Sequence, residues 1–242
     1  METFERTILI LAFLLTSTQA AQAQTNVVLV ELFTSQGCSS CPPADELLYS
    51  LNNQANVVTI SEHVDYWNYL GWKDPFSDKL FSERQRGYAD SFNLKGVYTP
   101  QAIVDGKYQL NGASRRSLYS AISKARSNKK QLIKISTKQD GENLNINVKL
   151  ECPMKTGILF LVLTEDGLQS KVSSGENAGR YLKHNSVARI MLKRSLDGTP
   201  NSVSKNFQIK INSSWNRKCL KLVAFVQDDR SKEVKALGHL AL

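Results

Sequence analysis

Several things are scarce in this 242-residue chain. Four cysteines are too few for a disulfide-dense miniprotein. No apolar run reaches the ~20 residues that span a bilayer, which excludes a polytopic membrane protein. There is no internal repeat, no low-complexity tract and no collagen-like period. With 41% apolar and 22% charged residues the chain is ordinary globular material rather than a disordered polymer. A second C-x-x-C is missing, and a structural zinc site normally takes four ligands, so no metal is expected as a resident group. No cofactor is expected either.

Residues 1–23 read as a secretory leader. Ile8 to Leu15 is an apolar run too short to span comfortably, and Ala21-Gln22-Ala23 is a small-x-small cleavage site. Positive charge is weak ahead of it, where Glu2 and Glu5 accompany a single Arg6. An uncleaved anchor is the alternative. Either way the mature chain is expected to be exported, to a bacterial periplasm or beyond, where disulfides persist.

Acidic residues are short in one half only. The net charge is +9, and the excess sits beyond residue 128. Such asymmetry fits a weak contact with an anionic surface, or simply a soluble basic domain. The lysines alternate along strands instead of forming a stripe, and export makes nucleic acid an unexpected target.

Residues 24–128 alternate strand and helix. Val27 to Phe33 and Val57 to Ile60 are apolar runs suited to strands covered on both faces. Pro43 to Asn52, Ser77 to Phe92 and Ser114 to Arg126 have helical spacing. Ala102-Ile103-Val104 and Tyr108-Gln109-Leu110 flank Asp105-Gly106 as a hairpin. Residues 127–131 read as a linker. From 129 to 242 the apolar period drops to two, with turns at Asp140-Gly141 and Asp166-Gly167, which predicts an antiparallel sandwich.

Cys38-Ser39-Ser40-Cys41 lies between the first strand and the first helix. Two cysteines three apart at a helical turn can cycle between dithiol and disulfide, and a helix N-terminus stabilises the attacking thiolate. Pro42-Pro43 pushes the regular helix to begin near Pro42, which weakens that dipole for Cys38. Val97-Tyr98-Thr99-Pro100-Gln101 precedes a strand, where a proline is awkward unless its bond is cis. A cis Pro100 would set its loop against the cysteines and leave the Thr99 backbone open to an extended substrate. Tyr66, Trp67, Tyr69, Trp72 and Phe76 cluster with His63 and Asp65 after the second strand. They read equally as a substrate wall and as a core plug.

These features together resemble a thioredoxin fold. More narrowly, Glu31 to Asp45, His63 to Trp67, Leu70 to Phe76, Val97 to Gln101, Gly175 to Arg180 and His184-Asn185 resemble domain-of-unknown-function family 1223, exported proteins. The fold class this implies is an α/β thioredoxin-like domain (24–128) followed by an all-β antiparallel sandwich domain (129–242). Glu31 resembles the buried acid that helps deprotonate the second cysteine of thioredoxins. It stands one residue too far from Cys38, however, so a strand-end or salt-bridge role is expected. The expected chemistry is thiol–disulfide exchange with protein or small thiols and disulfides. Cys38 and Cys41 carry the electrons. Pro100, Thr99 and Tyr98 position the partner, with Trp67, Trp72, His63 and Asp65 shaping the site. Cys152 and Cys219 are expected to form a structural disulfide. The rivals are a binding module with a static disulfide, and a copper-binding protein using the pair with His63.

Overall fold

A computed structural model describes residues 24–52, 54–151, 156–196 and 202–242. The leader, residues 1–23, lies outside the described residues. Among the latter, no helix is long and apolar enough to cross a membrane.

The chain begins with β1 (Gln24–Thr25), β2 (Val28–Thr34), α1 (Pro42–Leu51), β3 (Val57–His63), α2 (Lys79–Ser91), β4 (Gln101–Val104), β5 (Tyr108–Asn111) and α3 (Arg115–Ala125). Strands follow: β6 (Lys130–Asp140), β7 (Asn143–Leu150), β8 (Ile158–Glu165), β9 (Leu168–Lys171), β10 (Tyr181–His184), β11 (Val187–Ser195), β12 (Val203–Lys210), β13 (Leu220–Gln227) and β14 (Val234–Ala241). Residues 127–131 are not a free linker, because Lys130 opens β6 and its buried amine reaches Asp105 Oδ2 at 2.6 Å.

β2 alternates strictly. Val28, Val30 and Leu32 pack with α1 and α3 residues such as Leu47, Leu51, Leu118 and Ile122. On the other side, Leu29 packs with Phe81 of α2, and Phe33 with Tyr88. A strand covered on both faces reads as one apolar run, as this one does.

The fold differs from the class expected from the sequence. Twelve of the described strands belong to one mixed sheet, in the order β12-β7-β6-β14-β13-β8-β11-β3-β2-β4-β5, with β1 paired to β6. With three α-helices among the described residues, this is not an α/β thioredoxin-like domain followed by a separate all-β sandwich. The two halves are joined at β11 and β3, parallel at Val187 and Ser61, where Ser61 N donates to Ser186 O at 2.7 Å. The reason is physical. β3 would otherwise present unpaired N–H and C=O groups along an open edge. Pairing with β11 satisfies part of that edge and buries Leu29, Val58 and Ile60 against Phe160, Val162 and Phe225 in one core. At its far end the sheet folds back, so that β6, β7 and β12 enclose a core with β8 and β13. β9 and β10 form a separate two-stranded ribbon that lies over α1.

Candidate functional site

The chain crosses from β2 to α1 through Ser35-Gln36-Gly37-Cys38-Ser39-Ser40-Cys41, above the C-terminal ends of the parallel pair β2–β3. Open sheets place ligand crevices at that end of parallel strands. Cys38 and Cys41 form a disulfide, with Cα atoms 5.5 Å apart. Cys41 is the N-cap of α1, and Pro42 stands in the first helical turn, where its missing N–H costs no helical bond. Both cysteines are buried, at 1% and 0% exposure, while Ser39 and Ser40 between them are exposed.

The Thr99–Pro100 bond is cis. Its loop runs alongside the disulfide, with the Thr99 carbonyl oxygen 3.8 Å from Cys38 Sγ. Trp67 Nε1 donates to Thr99 Oγ1 at 2.8 Å. The backbone carbonyl of Tyr98 accepts from Gln85 Nε2 at 2.7 Å, and its hydroxyl donates to Gln109. Trp67 also lies against Gly37, where an added Cβ would meet Trp67 Cβ at 3.0 Å. Glycine is what allows this close approach beside Cys38. Trp72 Nε1 donates to Gln36 Oε1 at 2.9 Å. The two indoles therefore brace the loops on either side of the disulfide. Asp65 turns aside to α2, accepting from Ser82 Oγ.

Beneath the loop is a closed polar cluster. His63, at the end of β3, is fully buried and bonds Asp74 Oδ2 through Nδ1 at 2.7 Å. The same Asp74 oxygen accepts from Gln36 N at 2.9 Å. His184 of β10 approaches Gln36 Nε2 at 3.2 Å through Nε2 and Asp45 Oδ2 at 3.7 Å through Nδ1. The His63 and His184 rings meet edge to face, centroids 4.8 Å apart, and Phe76 touches both. Burial would lower the His63 pKa, but Asp74 outweighs it and holds the value above that of a free imidazole. Burial would raise Asp74, and His63 outweighs that to lower it. Burial, reinforced by His63, pushes His184 down to about 3. Burial raises Asp45 to about 7, against the pull of His63.

A strap from the second half covers the loop. Asn177, fully buried, donates through Nδ2 to the carbonyls of Gln36 and Cys38 at 2.9 and 2.8 Å. Glu176 Oε2 accepts from Ser39 N and Ser39 Oγ at 2.9 and 2.7 Å. Arg180 holds Asn177 Oδ1 at 2.7 Å.

The structure thus brings Cys38, Cys41, Thr99, Pro100, Trp67, Trp72 and His63 together, and sets Asp65 aside. Glu31 lies on the opposite face of β2 from α1, with Leu29 and Phe33, and is bonded by Arg84 and by Tyr88 Oη. That is the salt-bridge role its one-residue offset predicts. Cys219 is half-buried and free. Cys152, its expected partner, lies outside the described residues. Among the described residues no group of three or more His, Cys, Asp or Glu side chains is arranged to hold a metal ion. Gln36 and Asp45 escaped the sequence reading. For Asp45 the signal was spacing, since it falls one helical turn after Cys41.

A buried disulfide at a helix start, facing a cis-proline loop on a mixed sheet, defines a class of C-x-x-C protein. Within it, residues 29–227 match the family described as Protein of unknown function (DUF1223), and the chain belongs to that family. No curated protein matches it. A crystal structure of an Agrobacterium tumefaciens protein is similar, with 29% identity and a TM-score of 0.66 over 91% of this chain and 95% of that one. HBP35 of Porphyromonas gingivalis shares the fold at 14% identity, with a TM-score of 0.70 over 91% and 76% of the two chains.

Proposed function

We propose that this protein carries out thiol–disulfide exchange through Cys38 and Cys41, in an oxidising compartment outside the cytosol. The observation that carries the reading is the disulfide lying 3.8 Å from the Thr99 carbonyl of the cis-proline loop. An extended peptide or a small thiol entering beside that loop would meet Cys38, whose sulfur faces the Thr99 carbonyl, while Cys41 at the N-cap of α1 is fully buried. The partner's thiolate attacks Cys38, Cys41 leaves, and a second thiol of the partner releases Cys38 as the partner's own disulfide forms.

The burial of both sulfurs favours a second reading, a binding module whose disulfide only braces the loop. The reduction potential separates the two. A value between about −120 and −270 mV, with exchange lost in Cys38→Ser and a mixed disulfide retained in Cys41→Ser, supports exchange. A value well below about −300 mV, with glutathione leaving the bond intact, supports the brace.

A further inference from the structure

Four polar atoms beneath the C-x-x-C loop make no hydrogen bond of normal geometry: Thr34 Oγ1, Asp45 Oδ1, His63 Nε2 and His184 Nδ1, although Thr34 and His184 both lie close to the Asp45 carboxyl. All belong to buried side chains, and unpaired buried polar atoms are rare enough to need a reason. The reason is visible in their placement. Thr34 and His63 are register partners on β2 and β3, and β2 turns its even-numbered residues to the α1 face. Asp45 comes from α1. Its backbone N–H donates to the Cys41 carbonyl at 3.1 Å, so the two side chains share one helical face with Cβ atoms about 5–6 Å apart. Helical side chains lean toward the N-terminus, which tips the Asp45 carboxyl toward Cys41.

We propose that Asp45 is the proton carrier for Cys41, the acid and base that the strand carboxylate Glu31 does not supply. This rests on the exchange reading above. In the oxidising direction with glutathione disulfide, the Cys38 thiolate attacks one glutathione sulfur and breaks the S–S bond. One glutathione leaves as thiolate. The Cys41 thiol gives its proton to the Asp45 carboxylate and attacks Cys38 Sγ. The mixed disulfide breaks, the second glutathione leaves as thiolate, and it takes up the proton. The cysteine pair loses two electrons and the glutathione disulfide gains them.

The surroundings suit a group that must both take and give a proton. Asp45 faces His63 of β3, Thr34 of β2, His184 of β10 and Asp74 of the loop after β3, with Glu46 beside it on α1. Arg180 and Lys183 lie across the groove of about 470 Å³ between α1 and the β9–β10 ribbon. Burial holds the carboxyl at a pKa of about 7, where a proton carrier works best near neutral pH.

The test is single-turnover oxidation of the reduced full chain by glutathione disulfide, followed from pH 5 to 9. Wild type is expected to show an inflection from the Asp45 carboxyl in the step that resolves the mixed disulfide. Asp45→Asn is expected to lose that inflection and slow the step about 100-fold. Glu46→Gln, an exposed neighbour, is expected to keep both. An Asp45→Asn profile superimposable on wild type overturns the proposal. Absence of exchange in wild type instead overturns the reading on which it rests. The Asp45 carboxyl is also titrated by NMR in wild type, which keeps the question open to decision should the variant fail to fold. A midpoint that moves when the disulfide is reduced supports the coupling, and identical midpoints in the two redox states overturn it.

Discussion

Arg84 ties a buried ion-pair cluster to the core. Its guanidinium, 7% exposed, lies between two fully buried carboxylates, Glu31 and Glu62, and stacks over the Phe160 ring at 4.4 Å. Neither Glu62 oxygen has a hydrogen-bond partner, and burial drives its pKa well above the ordinary value. Removing one partner of a buried ion pair leaves charge uncompensated. Arg84→Met is expected to cost about 3–5 kcal/mol, more at pH 8 than at pH 5, where Glu62 is more readily neutral. Urea unfolding at the two pH values checks this, and an equal loss at both would contradict it.

Asp45 sets a second pH dependence at the same scale. Its folded pKa of about 7 lies above the unfolded value of about 3.9. Between these values the folded chain holds the extra proton, so this group makes stability fall as pH rises. The limit is about 1.4 kcal/mol per pH unit. Asp45→Asn removes the slope. The variant is expected to gain stability relative to wild type steadily from pH 4 to 7, measured by denaturant titration, and a constant difference would count against the assignment.

Among the elements, the strap of residues 172–180 is the one that lies across the C-x-x-C loop from the second half of the chain. The strap is a loop between β9 and β10 that returns on itself, with Val172 N donating to Arg180 O and Gly179 N to Val172 O. Its grip on the C-x-x-C loop runs mainly through Asn177 and Glu176. Asn177→Ala leaves the Gln36 and Cys38 carbonyls without those donors, at a cost of about 1–3 kcal/mol. Reduction of the disulfide by a small phosphine or dithiothreitol is expected to become several-fold faster, because the buried sulfurs are uncovered more often. An unchanged reduction rate would mean that the strap does not limit access.

At the scale of the molecule, the continuous sheet predicts cooperative unfolding. The β3–β11 seam and the core shared by Leu29, Ile60, Phe160 and Phe225 tie the two halves into one unit. A single calorimetric transition is expected, with calorimetric and van't Hoff enthalpies in agreement. Two resolved transitions would show that the seam does not couple the halves.

The sequence by itself determined the local elements and the place of the cysteine pair among them. Apolar runs and helical spacing marked β2, β3 and the three helices, because burial pattern is a property of each segment alone. The cysteine pair, Thr99-Pro100 and the late start of α1 at Pro42 were legible for the same reason, since each depends on near neighbours. What only the tertiary structure decided was which distant segments meet. Pairing of β11 with β3, the strap of Asn177 on Cys38, and the enclosure of Asp45 by His63 and His184 join residues more than a hundred positions apart, or separate elements of one layer. Periodicity says that a face is covered. It does not say by what, because an open strand edge and an apolar face accept any partner that satisfies hydrogen bonds and excludes water.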